Sequence, residues 1–210
     1  MAQAYPIVLD LTGRAAVIIG GGEVAARKAQ GLLNAGAAVV RCVAPEFCDL
    51  IPPAVKKVNA TYCQGHLDGA FLVFAATDQP DVNDAVVRDA RAANLLVNRA
   101  DSDDELAGDF VVPASHATRA LLITVSAGSP ALSRMIRDRL AQSVRPQWDA
   151  MAELMRTIRP AIRRANLDIA KRRVIFRDLA TDQALDILER TGEDGLRRWL
   201  LERHPELTHA

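Results

Sequence analysis

Two short stretches of this 210-residue chain carry residue types whose spacing could do chemistry. The first is Gly20-Gly21-Gly22-Glu23-Val24-Ala25, of the form G-x-G-x-x-A. An apolar run at 15–19 precedes it and a run of helix formers at 23–34 follows it. In that setting the pattern is a dinucleotide-binding fingerprint. Gly20 allows a tight turn, Gly22 lets backbone approach a pyrophosphate, and Ala25 lets helix and strand pack closely. Free N–H groups at the start of the helix, from Glu23 and Val24 onward, and the helix dipole attract phosphate. A glycine-rich turn that holds no ligand is the plainer alternative. The second stretch is Asn98-Arg99-Ala100-Asp101, at the end of another apolar run. Open α/β sheets bind ligands at the carboxyl ends of their strands. Asp101 lies nearest that end and is the candidate proton acceptor beside a nicotinamide. It heads an acidic cluster with Asp103, Asp104, Glu105 and Asp109, of which 103–105 read as a solvated loop.

One part of the fingerprint is missing. The second strand should end in an acidic residue for the ribose hydroxyls. It ends instead in Cys42-Val43-Ala44-Pro45, with Glu46 just beyond, and Arg41 inside the strand is the nearest cation. This favours NAD over NADP, with the ribose held by backbone at Val43 and Ala44 or by Glu46.

These residues need elements to position them. Short apolar runs at 15–19, 38–43, 70–76 and 95–98 read as buried strands, and 60–64 as a further strand. Helices are expected at 23–34 and at 80–93, the latter with Pro80 in its first turn. Repeated strand–helix units imply a parallel, Rossmann-like sheet. Beyond residue 112 the pattern changes. Residues 110–113 and 120–126 look like strands, 130–142 is an amphipathic helix, and helices are expected at 147–165, 167–179, 182–191 and 193–203. The predicted organisation is a nucleotide-binding domain at 1–112, a small α+β region at 113–145 and a helical domain at 146–210.

Composition limits what such a protein can be. Half the residues are hydrophobic, enough for a sizeable core. Aromatics make up only 4%, too few for base-stacking platforms. Lys plus Arg (26) equals Asp plus Glu (26), so a general nucleic-acid or anionic-membrane binder is not expected. The zero is a sum of opposites. Residues 1–112 hold 9 basic and 14 acidic residues (9 − 14 = −5), and 113–210 hold 17 and 12 (17 − 12 = +5). Scattered helix-surface arginines account for that as readily as a polyanionic ligand does. No long apolar run predicts a membrane span and no signal peptide is visible, and three cysteines (42, 48, 63) without a CxxC pair fit a reducing cytoplasm. His66 beside Cys63 lacks the further ligands of a metal site. His204 and His209 are expected to be exposed, and Trp148 and Trp199 to be core or interface residues.

Seven segments in order resemble the precorrin-2 dehydrogenase family, the module also found at the N-terminus of siroheme synthase. They are Leu9-Asp10-Leu11; the run from Val17 to Lys28; Ala44-Pro45-Glu46; Ala75-Ala76-Thr77-Asp78 with Asn83; Asn98-x-x-Asp101; Asp109 to Ala114; and Val125 to Leu132 with Arg134. The resemblance spans about residues 5–145, and the C-terminal third is similar only in being helical. The glycine-serine-proline segment is shorter than in many relatives, and Arg99-Ala100 stands where relatives are often hydrophobic.

The resemblance implies NAD-dependent oxidation of precorrin-2 to sirohydrochlorin, and in some members insertion of ferrous iron to give siroheme. It implies a homodimer, with 113–145 as the dimerisation region and a C-terminal helical domain. It assigns Asp101 the catalytic role and adds Pro45, Thr77 and Asp78 to the cofactor set. Asn98, His116, Ser126, Ser129 and Arg134 become candidate substrate contacts. Ser129 matches a phosphorylation site of some siroheme synthases, or simply caps the helix that Pro130 opens. The substrate is a polycarboxylate, so Arg119, Arg134 and Arg137 are candidate partners for it. A non-catalytic NAD-binding redox sensor is the second reading, and it leaves Asn98-x-x-Asp101 unexplained.

Overall fold

The computed structural model describes residues 5–100, 108–164 and 167–209. Asp101 and the acidic residues at 103–105 lie outside the described residues. The chain divides into two units, Met1–Val112 and Pro113–Ala210.

The first unit is a five-stranded parallel sheet: β1 (Ala15–Ile19), β2 (Val39–Ala44), β3 (Lys56–Asn59), β4 (Leu72–Ala75) and β5 (Leu96–Arg99), in the order β3-β2-β1-β4-β5. Helix α1 (Glu23–Asn34) follows β1, and α2 (Pro80–Ala92) follows β4. The central strands β1 and β4 are apolar throughout because both faces are covered. Ala16, Ile18, Leu72 and Phe74 pack with Ala25, Ala29 and Leu32 of α1. Val17, Ile19, Val73 and Ala75 pack with Val86, Val87 and Ala90 of α2. The strand order reverses at β1, where the chain runs outward through β2 on one side and returns to β4 on the other. Such a switch point opens a crevice at the carboxyl ends.

Two expected strands fall elsewhere. The one expected at 60–64 lies at Lys56–Asn59. It is an edge strand with exposed lysines, which deter pairing with another sheet and hide it from an apolar-run argument. Residues Gln64–Leu67 form a 3-10 turn, capped by His66, whose Nδ1 accepts the N–H of Cys63 at 3.1 Å. The strand expected at 110–113 is not formed. Asp109 instead finishes the first unit: its N–H donates to the Val97 carbonyl (2.7 Å) and its carboxylate accepts the Val97 N–H (3.1 Å) and pairs with Arg91 (2.9 Å). Of the cysteines, Cys42 is buried, which pushes its thiol up to about 12, whereas Cys63 is exposed.

The second unit begins with an antiparallel hairpin, β6 (Ala114–Ala117) and β7 (Leu122–Val125), followed by α3 (Pro130–Ser143). Helices α4 (Pro146–Arg164), α5 (Ile169–Leu179) and α6 (Asp182–Arg203) come next. Leu154, Ile158, Ile162, Ile175, Leu179, Leu188, Leu196 and Leu200 form their core. The break expected at Gly192 is a non-helical residue inside α6, with φ 68°. His204 is buried rather than exposed. Its Nε2 lies 3.0 Å from Asp178, a hydrogen bond that offsets the cost of burying the ring, and its Nδ1 lies 3.5 Å from Glu206. Among the described residues no helix is long and apolar enough to cross a membrane.

A polar clasp joins the hairpin to α4. Asp149 accepts the Thr118 hydroxyl and the Ala120 N–H (2.9 Å). These bonds, Thr118 first, hold its carboxyl below the ordinary aspartate range. The ionised form is therefore the stabilised one. Its contribution is present above the unfolded pKa and is lost as pH falls through the folded pKa. Asp149→Asn should lower the melting temperature at pH 7, and the gap from the wild type should close as pH falls below about 4, where an unperturbed aspartate protonates. Calorimetry across that range checks it.

Candidate functional site

The glycine loop is shaped by what stands around it. Gly20 has φ 139°, and a Cβ there would lie 2.3 Å from the Ala76 carbonyl oxygen at the end of β4. Its N–H donates to the Val43 carbonyl of β2 (2.9 Å). At Gly21 a Cβ would lie 2.0 Å from the Glu46 carbonyl oxygen and 2.9 Å from Ala44 Cβ. The Gly21 carbonyl accepts the Cys48 N–H at 2.8 Å. Gly21 occupies an unrestricted position of the fingerprint, which gives no hint that it is among the most crowded of these glycines. Gly22 is the N-cap of α1, and a Cβ there would meet nothing. Crowding at 20 and 21 thus presses the loop against β2 and β4, while the side at Gly22 stays open for a ligand. The first intrahelical bond runs from the Ala26 N–H to the Gly22 carbonyl (3.0 Å), so the N–H groups of Glu23, Val24 and Ala25 have no partner within the helix. Ala25 is fully buried against the sheet.

The flanking strand ends complete this cradle. Val43 and Ala44 are buried at the end of β2, and Pro45 and Glu46 are exposed beyond it. The Arg41 guanidinium donates to the carbonyls of His66 (3.0 Å) and Asp68 (2.8 Å), so it serves the 3-10 turn and is not available to a 2′-phosphate. After β4, buried Asn83 binds the turn from below: its amide donates to the Thr77 carbonyl (3.0 Å) and its oxygen accepts the Thr77 N–H (3.2 Å) and hydroxyl (2.8 Å). Thr77 therefore shapes the turn through its side chain, and Asp78 beside it is exposed. The cofactor residues named from sequence thus gather along the carboxyl edge of β1, β2 and β4.

Asn98 sits at the end of β5 and is 6% exposed. Its amide nitrogen donates to the Phe110 carbonyl (2.9 Å), and its buried Oδ1 has no partner among the described residues. Arg99 pairs with Asp84 of α2. Lys28 of α1, absent from the candidates read from sequence, places its ammonium 5.7 Å from the centre of the Phe74 ring. Burial lowers its pKa from the ordinary lysine value.

The remaining candidates lie in the second unit. His116 is half-buried on β6 opposite Ile123. Ser126 is exposed after β7. Ser129 is the N-cap of α3 but makes no side-chain capping bond. Ser133 closes that loop instead, because its hydroxyl donates to the Ser129 carbonyl (2.8 Å) and accepts the Ala127 N–H (3.0 Å). Arg137 is engaged with the Ser115 carbonyl (2.9 Å) and Asp138 (2.6 Å), and Arg119 with Glu153 (3.3 Å). Arg134 is exposed and has no ion pair among the described residues.

Comparison with known proteins adds to this geometry. Residues 7–114 match a family described as "putative NAD(P)-binding". A siroheme synthase of Azotobacter vinelandii is 35% identical over 181 residues, covering 83% of this chain and 38% of that protein. A siroheme synthase of Methylobacillus flagellatus is 31% identical over 219 residues, covering 99% of this chain and 46% of that protein. The chain thus spans less than half the length of these relatives. Among solved structures, the precorrin-2 dehydrogenase SirC superposes with a TM-score of 0.75 at 23% identity, covering 95% of this chain and all of that one, and so shares the fold.

The crowding makes a test of the two neighbouring glycines. Gly21→Ala should destabilise the fold by roughly 1–3 kcal/mol or more, because backbone must move to admit the methyl group. Gly22→Ala should lose less than about 1 kcal/mol, the difference between glycine and alanine at an N-cap. Denaturant melts of the two variants check the order.

Proposed function

The chain belongs to the NAD(P)-binding family that its residues 7–114 match, and from that membership we propose that it oxidises precorrin-2 to sirohydrochlorin with NAD as hydride acceptor. The observation that carries the reading is the open cradle at Gly22, set at the switch point of a β3-β2-β1-β4-β5 sheet. The siroheme synthase relatives and the shared fold with a precorrin-2 dehydrogenase support the choice of substrate.

Each part of the cradle has a task. The N–H groups of Glu23, Val24 and Ala25 receive the pyrophosphate with the help of the helix dipole. Backbone at Val43, Ala44 and Pro45 holds the ribose of the adenosine half, and the prior engagement of Arg41 supports NAD over NADP. Thr77 and Asp78 border the other half. When bound, the nicotinamide accepts the hydride. Asp101 takes the proton released with it, and Ser126, Ser129, His116 and Arg134, which has no ion pair among the described residues, are the candidate contacts for the substrate's carboxylates. We place the reaction in the cytoplasm, where an exposed thiol such as Cys63 stays reduced.

Oligomerisation belongs to the same proposal. A two-stranded hairpin is marginal on its own, and this one leaves Leu122 exposed beside a helix that exposes Leu132, Met135 and Leu140. A second copy of the chain covers these side chains in a homodimer. Light scattering should give the dimer mass, and Leu132→Asp with Met135→Glu should give the monomer with its helical circular dichroism retained.

The reaction itself is tested anaerobically with precorrin-2 and NAD, following the absorbance of sirohydrochlorin. Oxidation should require NAD, and Asp101→Ala should bind NAD like the wild type while losing at least about a hundredfold in rate, the lower range for a general base. NAD binding without oxidation by the wild type would instead leave an NAD-binding sensor. Ferrous iron added afterwards shows whether the chain also speeds metal insertion.

A further inference from the structure

Two side chains on the α1 face of the sheet carry a polar atom that has no hydrogen-bond or ion-pair partner among the described residues. Lys28 is one. A helical side chain leans toward the N-terminus of its helix, so Lys28 reaches over the turn of Val24 and Ala25 toward the carboxyl edge of the sheet. Its ammonium is half-buried against Phe74, and among the described residues no carboxylate pairs with it. Asn98 is the other. It is the register partner of Phe74, so its side chain leaves the same face. Its amide nitrogen is committed to the Phe110 carbonyl, which fixes the amide plane and leaves Oδ1 buried and without a donor among the described residues. The Phe74 and Phe110 rings meet edge to face at 5.5 Å, so the Lys28 ammonium lies over one ring while the Asn98 amide is bonded to the backbone carbonyl of the residue that carries the other.

An ammonium donor and an amide acceptor on one ring pair call for a ligand group holding both an acceptor and a donor. A carboxylate offers only acceptors and would set oxygen against Asn98 Oδ1. A primary carboxamide offers a carbonyl oxygen and an N–H together. The pair also stands at β4 and β5, across β1 from the β2 end that faces the adenosine ribose. That is the half of the crevice left for the redox end of a dinucleotide.

We propose that Lys28 and Asn98 clasp the carboxamide of the nicotinamide, Lys28 donating to its oxygen and Asn98 accepting from its nitrogen, and so fix how the ring lies. The proposal rests on the NAD reading above. It assigns Lys28 a ligand-binding role and gives Asn98 to the cofactor rather than to the tetrapyrrole.

The test is calorimetric binding of the full chain to three probes: NAD, its 3-acetylpyridine analogue, and ADP-ribose, which lacks the nicotinamide. The acetylpyridine ring keeps the carbonyl but replaces the N–H donor by methyl. Lys28→Met keeps the apolar stem over Phe74, and should weaken NAD about tenfold, the scale of one charge-assisted hydrogen bond, while binding ADP-ribose like the wild type. Asn98→Ala should abolish the preference for NAD over the acetylpyridine analogue. Equal weakening of NAD and ADP-ribose by Lys28→Met would overturn the proposal, since the lysine would then serve the phosphates or the fold. If Asn98→Ala does not fold, Lys28→Met still decides. A wild type that binds ADP-ribose and NAD equally well overturns the clasp alone, whereas one that binds neither overturns the NAD reading itself.

Discussion

The carbonyl oxygens of Ala76 and Glu46 stand where the Cβ atoms of Gly20 and Gly21 would be, and the first unit is arranged around that fact. Because β1 ends without side chains, the chain can turn between its two neighbours and start α1 within hydrogen-bonding distance of β2. The Gly20 N–H reaches Val43, and the Cys48 N–H reaches Gly21. The helix N-terminus is thereby held at the switch point with its first N–H groups outward. Larger residues at these two positions would push the helix away from the edge and disrupt the packing.

Polar bonds secure the surroundings where apolar contact would not specify position. Asn83, fully buried, fixes the turn after β4 through three bonds to Thr77. Asp109 closes the free edge of β5 by taking the Val97 N–H, and Phe110 then holds the Asn98 amide. In the second unit the same logic recurs. Asp149 clasps the hairpin turn, Ser133 closes the loop before α3, and Arg137 ties β6 to that helix. A small hairpin has too little apolar area to fix its own place, so directional bonds do so.

Charge divides along the same line as the two units. The −5 of residues 1–112 and the +5 of 113–210 cancel in the total but not locally. Several arginines of the basic half are spent on the fold, Arg137 and Arg203 among them, whereas Arg134 is exposed and has no ion pair among the described residues. A carboxylate-rich tetrapyrrole and a basic second unit are therefore compatible without a large excess of positive charge over the whole chain.

The parallel sheet, the positions of α1 and α2, the cradle at 20–25 and the break at Gly192 were legible in the order of residues. They depend on local rules: glycine where side chains cannot fit, continuous apolar runs where both faces are covered, and capping where helices begin. The edge strand at Lys56–Asn59, the burial of His204, the commitment of Arg41, the structural use of Asp109 and the orphaned Asn98 Oδ1 were not legible. Each depends on how the fold brings distant residues together, up to 27 positions apart for Arg41 and Asp68, and polar side chains look alike in a sequence whether water or a buried carbonyl will satisfy them. Spacing along the chain could locate a dinucleotide site. It took the folded backbone to show that Gly21 is as crowded as Gly20 and that Lys28 lies over the Phe74 ring, because those facts arise from atoms that only chain crossings bring together.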